Sequence, residues 1–194
     1  MAEMKSVCVY CGAAGSVSPA FRDAATELGR GIAGEGLRLV YGGGRVGLMG
    51  LVADAALAAG GQVTGVIPDF LDELEVAHPG VTELIRTGTM HERKMHMARL
   101  SDAFLVLPGG FGTLDETFEI LTWKQLRLHD KPVVLLNING FWDGLVALIN
   151  HQAAENFVRP EHLSLFSVAN GVEAALKALR NAPAATHDIS RKWA

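Results

Sequence analysis

Short apolar runs alternate with longer stretches of helical periodicity along the chain. The first run, Ser6-Val7-Cys8-Val9-Tyr10, predicts a strand from about Met4 to Tyr10. Ser18-Pro19 then has the form of an N-cap followed by a first-turn proline, opening a helix to about Gly34. A second strand is expected at Leu37 to Tyr41, running into Gly42-Gly43-Gly44-Arg45-Val46-Gly47-Leu48-Met49-Gly50. The helix after it offers Leu51, Ala55, Leu57 and Ala58 for packing and stops near Gly60-Gly61. Gln62 to Ile67 reads as a third strand, ended by Pro68. Asp69 to Gly80 is acidic, with Glu73, Glu75 and His78, and is expected to be less regular. A strand at Glu83 to Arg86 and a helix at Thr89 to Leu100 lead to a buried strand, Ala103-Phe104-Leu105-Val106-Leu107. Helices at Thr113 to about Leu128, Phe141 to Asn150 and Val172 to Leu179 complete the pattern, with strands at Pro132 to Leu136 and Leu165 to Val168.

This alternation predicts an α/β protein: a parallel sheet with helices on both faces and right-handed crossovers. A single domain is expected over 1–181, followed by a loose tail over 182–194 of small and polar residues. In such sheets ligands bind beyond the carboxyl ends of the strands. Three expected strands end in glycine-rich turns, at Gly12, at Gly42 to Gly44 and at Gly109 to Gly112. If those strands are neighbours, the turns line one crevice.

The turn in Pro108-Gly109-Gly110-Phe111-Gly112-Thr113-Leu114-Asp115-Glu116 carries the strongest signal, because it joins a buried strand to a helix with apolar Leu114, Phe118 and Leu121. Glycine bends sharply and lets a ligand approach without a Cβ in the way. Free N–H groups and the helix dipole favour a phosphate-sized anion there. A tight turn with a capping box, Thr113-x-x-Glu116, explains those two residues but leaves the glycines without a reason.

Composition narrows the function. The chain has 194 residues, 49% hydrophobic and 20% charged, with a net charge of −4 and no lysine/arginine block. That is ordinary for a globular domain and argues against a nucleic-acid partner, which needs a basic surface. No apolar run reaches membrane-span length, since Asp54 interrupts the richest, Leu51 to Ala59. The N-terminus lacks a signal-peptide pattern, so a cytoplasmic protein without membrane attachment is expected. Cys8 and Cys11 have C-x-x-C spacing, but three extended residues span about 10 Å, too far for a disulfide. With no second pair to complete a zinc site, two buried or loop thiols are expected.

Gly42-x-Gly44-x-x-Gly47 has dinucleotide-fingerprint spacing, yet it follows the second strand and lacks the acidic residue about 20 positions on. A nucleotide-facing loop is expected instead, with Gly43 and Gly44 as contacts. His91-Glu92 and His96 suggest a zinc helix, but a five-residue offset turns the rings about 140° apart, so no metal is expected. Arg93 shares a helical face with Met90, Met97 and Leu100, so it either snorkels or is paired inside a site. Glu116 shares a face with Ile120 and Trp123. An Arg93–Glu116 pair beside a phosphate ester would form a catalytic arrangement.

At Met90-His91-Glu92-Arg93-Lys94 and Pro108 to Glu116, with the Gly42 loop in support, the chain resembles the LONELY GUY (LOG) family, formerly labelled "lysine decarboxylase-like". The resemblance covers nearly everything but the tail. It implies a Rossmann-like fold, a homodimer, and hydrolysis of the N-glycosidic bond of cytokinin riboside 5′-monophosphates, and of AMP in bacterial members, to free base and ribose 5-phosphate, with no cofactor. By motif it implies Arg93 and Glu116 as the catalytic pair. It further implies that Met90, Lys94, Gly109, Gly110, Phe111, Gly112, Thr113, Leu114 and Asp115 contact the nucleotide, with Glu75 and Thr122 as additional contacts. Phe111 stands where tyrosine is also found. Two other readings stay open: a non-catalytic nucleotide-binding or sensor protein on the same fold, and a lysine decarboxylase, which needs pyridoxal phosphate on a lysine. Lys94 is the only lysine near the motifs, and no accompanying cofactor pattern is visible.

Overall fold

The computed structural model describes residues 4–75 and 77–182, without the side chains of residues 73–75. Among them, β1 (Ser6–Tyr10), β2 (Arg38–Tyr41), β3 (Val63–Pro68), β4 (Glu83–Thr87), β5 (Ala103–Val106), β6 (Val133–Leu136) and β7 (Ser167–Ala169) form one sheet, ordered β4-β3-β2-β1-β5-β6-β7. Every pairing between these strands is parallel. The helices are α1 (Pro19–Gly34), α2 (Gly47–Ala58), α3 (Asp69–Glu75), α4 (Met90–Arg99), α5 (Phe111–Gln125), α6 (Asp143–Ala154) and α7 (Val172–Arg180). This is the expected α/β, Rossmann-like architecture.

The strands are apolar throughout because both faces are covered. In β1, Val7 and Val9 enter a layer with Leu28 and Ile32 of α1, Val52 of α2 and Leu176 of α7. The alternate residues Cys8 and Tyr10 enter the opposite layer with Met97 of α4, Ile120 of α5 and Phe104. Helices α1 and α2 approach closely at Gly29, where an added Cβ would lie 2.3 Å from the Val52 carbonyl oxygen. Cys8 and Cys11 are free, buried thiols in opposite core layers.

The chain builds outward from β1 to β4, then α4 leads back to β5 on the other side of β1. A topological switch point therefore lies at the carboxyl ends of β1 and β5. The strands feeding the glycine turns, β2, β1 and β5, are neighbours in that order, so the turns do share one edge.

Several boundaries differ from expectation. Asp69 to Glu75 is helical, with Asp69 and Asp72 in a first turn that favours negative charge. Helix α5 begins at Phe111, two residues early, and ends at Gln125. Phe118 points to solvent on it, 41% exposed, whereas Leu121 is buried. The alternative of a Thr113–Glu116 capping box is not what forms: Gly110 is the N-cap and no side chain caps it. A variant of the box occurs at α4, where the N-cap Thr89 Oγ1 accepts from Glu92 N and Glu92 accepts from the N–H of Gly88, one residue before the cap. The tail's residues 183–194 lie outside the described residues. No helix among the described residues is long and apolar enough to cross a membrane.

Beyond α5, His129 is buried. Its Nε2 donates to the Ile120 carbonyl (2.9 Å), and its Nδ1 accepts from Lys131 N (3.1 Å). A neutral ring satisfies both bonds. Burial lowers its pKa to about 4, against which the Ile120 hydrogen bond acts, while the charges of Lys131 and Lys124 add to the lowering.

Candidate functional site

A cleft of about 510 Å³ opens at the switch point. Its polar rim is one hydrogen-bonded unit: Gly12 N donates to Pro108 O (3.1 Å), and Leu48 N donates to Gly12 O (3.0 Å). The turns after β1 and β5 and the start of α2 are thereby fixed to each other. Arg93 of α4, Gly109 and Gly110 of the β5–α5 turn, and Gly112, Thr113 and Glu116 of the start of α5 line the cleft. Val17, Phe21, Leu48, Met49 and Phe141 supply an apolar wall, in which the Phe21 and Phe141 rings meet edge to face at 5.5 Å.

Arg93 is 5% exposed and tightly held. Its Nε donates to Val66 O (3.1 Å) and one terminal nitrogen to Gly42 O (2.9 Å); the other faces the Met90 sulfur at 3.7 Å. Two carbonyls, one within β3 and one just past β2, thus lock the guanidinium at the cleft. A Cβ at Gly42 would come within 2.0 Å of it, which is why glycine follows β2. Glu116 is half-buried and faces the same cleft. The Cys11 thiol registers both groups: burial pushes its pKa up, Glu116 adds to the rise, and Arg93 opposes it.

The glycine turn after β5 combines two kinds of position. Gly109 is demanded by protein, since a Cβ there would strike Thr113 Oγ1 at 2.1 Å. Gly110 and Gly112 would meet nothing within 4 Å. Their missing side chains leave space above the first turn of α5, whose N–H groups have no intrahelical acceptor. Leu114 N is the first of its amides to close back, onto Gly110 O at 3.0 Å.

The other expected contacts lie elsewhere. Lys94 is buried and paired with Asp115 (3.0 Å) and Glu119 (3.1 Å), away from the cleft lining. Burial pulls its pKa down, but the hydrogen bonds and charges of those carboxylates hold it above its ordinary value. Asp115 is the exposed partner of that pair, and Leu114 is half-buried. Met90 reaches the site only through Arg93. Phe111 is 92% exposed, and Thr122 lies farther along the outer face of α5. Gly43 and Gly44 do not line the cleft. Gly43, at φ +78°, packs on β3 and accepts from His78 N, and Gly44 bridges to Ala77. The Glu75 side chain lies outside the described residues.

Sequence reasoning set the turns at Gly12 and Gly42 on the crevice but missed Cys11 and Pro108 as cleft residues. The available signal was position, because the first residues past the carboxyl ends of β1, β2 and β5 necessarily face the switch point. Phe21 and Phe141 gave no such signal, being brought together only by the tertiary fold.

A family model described as "Possible lysine decarboxylase" matches residues 49–179. A cytokinin riboside 5′-monophosphate phosphoribohydrolase of Rhodococcoides fascians is 49% identical over 91% of this chain and 90% of that protein. One from Arabidopsis thaliana is 44% identical over 89% and 76%, respectively. Among solved structures, the Moco carrier protein of Chlamydomonas reinhardtii superposes with a TM-score of 0.71 at 26% identity, covering 92% of this chain and 96% of that one.

Proposed function

The chain belongs to the LONELY GUY family, and from that premise we propose how its cleft performs the family's reaction. The protein is a phosphoribohydrolase that splits a cytokinin riboside 5′-monophosphate into free base and ribose 5-phosphate. AMP is a second substrate in this reading. The carrying observation is that Glu116 and the locked Arg93 share one cleft with an uncapped helix start whose Gly110 and Gly112 leave open space.

As the base departs, positive charge builds on the ribose, as in glycoside hydrolysis. Glu116 binds the ribose hydroxyls, stabilises that charge and orients the attacking water. Arg93 needs no reorganisation, because the Val66 and Gly42 carbonyls already hold it. Its charge and the α5 amides anchor the 5′-phosphate, and this remote binding positions the scissile bond. The reading is tested by incubating the protein with isopentenyladenosine monophosphate and with AMP and detecting the released base. Free base with equimolar ribose 5-phosphate supports it; binding without release supports a non-catalytic carrier, the reading favoured by the likeness to the Moco carrier protein.

The old decarboxylase label fits the residues poorly. A Schiff base needs a neutral amine, and Lys94 is held as an ammonium between two carboxylates.

We also propose a homodimer built on the outer face of α5. Phe111, Phe118 and Leu126 are 92%, 41% and 61% exposed around Thr122, an apolar stripe suited to a second copy. Thr122 then meets nucleotide only across that interface. Phe118→Asp is expected to halve the mass measured by light scattering; an unchanged mass rejects this face.

A further inference from the structure

We infer that a second cleft of about 440 Å³, at the far end of α5, binds a small anion carrying two or more phosphate groups. Lys124 and Arg127 enter it from the end of the helix, and Arg159 and His162 from the turn over Pro160–Leu165. Basic side chains from two separate elements converge there on a protein whose net charge is −4. The acidic member of the lining, Glu161, lies 3.8 Å from Arg159, and both are largely exposed. Glu161 offsets one of the charges of Lys124, Arg127 and Arg159, and the lining stays positive. Lys124 is partly desolvated: burial lowers its pKa, and the charge of Asp130 only partly restores it.

The backbone supplies an independent observation. Helix α5 closes with a complete Schellman motif, in which Leu128 N donates to Trp123 O (2.9 Å) and Arg127 N to Lys124 O (3.0 Å). The residue at the left-handed position is Arg127, at φ +58°. Glycine closes a helix there without strain. Among the described residues the other non-glycines at positive φ are Asn139 and Asn156, a type that tolerates it. A strained arginine points to a use for its side chain. Attraction of cations to a helix C-terminus accounts for Lys124 but not for Arg159 or His162, which belong to another element. Arginine's planar fork suits phosphate oxygens, and two forks and an ammonium on one lining suit a diphosphate. The 15 residues of α5 separate this cleft from the nucleotide cleft by roughly 20 Å.

The test is calorimetric titration of the full chain with pyrophosphate at low salt, with ribose 5-phosphate present in saturating amount. The expected result is one pyrophosphate per chain, about tenfold weaker binding in Arg127→Gly and in Arg159→Gln, and orthophosphate binding more weakly than pyrophosphate. Arg127→Gly should melt no lower than the parent, so lost binding cannot be ascribed to lost folding. No binding at millimolar pyrophosphate, parental affinity in both variants, or equal affinity for orthophosphate would overturn the inference.

Discussion

Two glycine-rich turns leave the same edge of the sheet, after the strands on either side of β1, and they use glycine for opposite reasons. After β2, protein atoms occupy the place of the missing side chain at four glycines: Arg93 at Gly42, Ile67 and Val66 at Gly43, the Ala13 backbone at Gly47 and the Arg45 backbone at Gly50. After β5, Gly109 is likewise filled, but Gly110 and Gly112 look into open space. The first turn is glycine-rich so that the protein can close on itself and fix Arg93. The second is glycine-rich so that something else can come close. A glycine motif alone does not distinguish these; what lies opposite the absent Cβ does.

The sharpest break of this comparison comes from the residue that the open turn delivers to the cleft. Glu116→Gln should lower kcat by about a thousandfold, with the melting temperature unchanged. Acid should act on the fold rather than on the turns, through His129. Its folded-state pKa is near 4 against an ordinary 6.5, so the unfolded chain takes up a proton first as pH falls. Stability is full above about pH 6.5 and declines toward pH 4, by about 3 kcal/mol in all, measurable by denaturant melts across that range. A flat profile would mean that the buried ring accepts the proton without cost. In the closed turn, Gly42→Ala should displace the guanidinium from its carbonyls, costing about 2 kcal/mol of stability together with activity. In the open turn, Gly112→Ala should leave stability equal or raised by about 0.5 kcal/mol while raising KM on the order of tenfold. If both alanine variants behave alike, the distinction between the turns fails.

The strands and most helices were legible in the sequence because burial on both faces makes each strand a continuous apolar run, as in Val7 to Tyr10 and Phe104 to Leu107. The Arg93 and Glu116 positions were legible from helical phase. The start of α5 was not, because a Thr-x-x-Glu pattern looked like a cap when the helix had already begun at Phe111. Lys94 shows a related limit. It adjoins Arg93 in sequence, but one helical step turns it by about 100°, toward Asp115 and Glu119. Phe118 had helical phase for packing but ended on the exposed side of α5. Periodicity identifies a face, not which neighbour covers it.

The most direct test separates gripping from cutting in one variant. Glu116→Gln protein is titrated with AMP by calorimetry, and the same sample is assayed for adenine. The account predicts parental affinity with no adenine above background. Parental turnover, or loss of AMP binding in a normally folded variant, would contradict it.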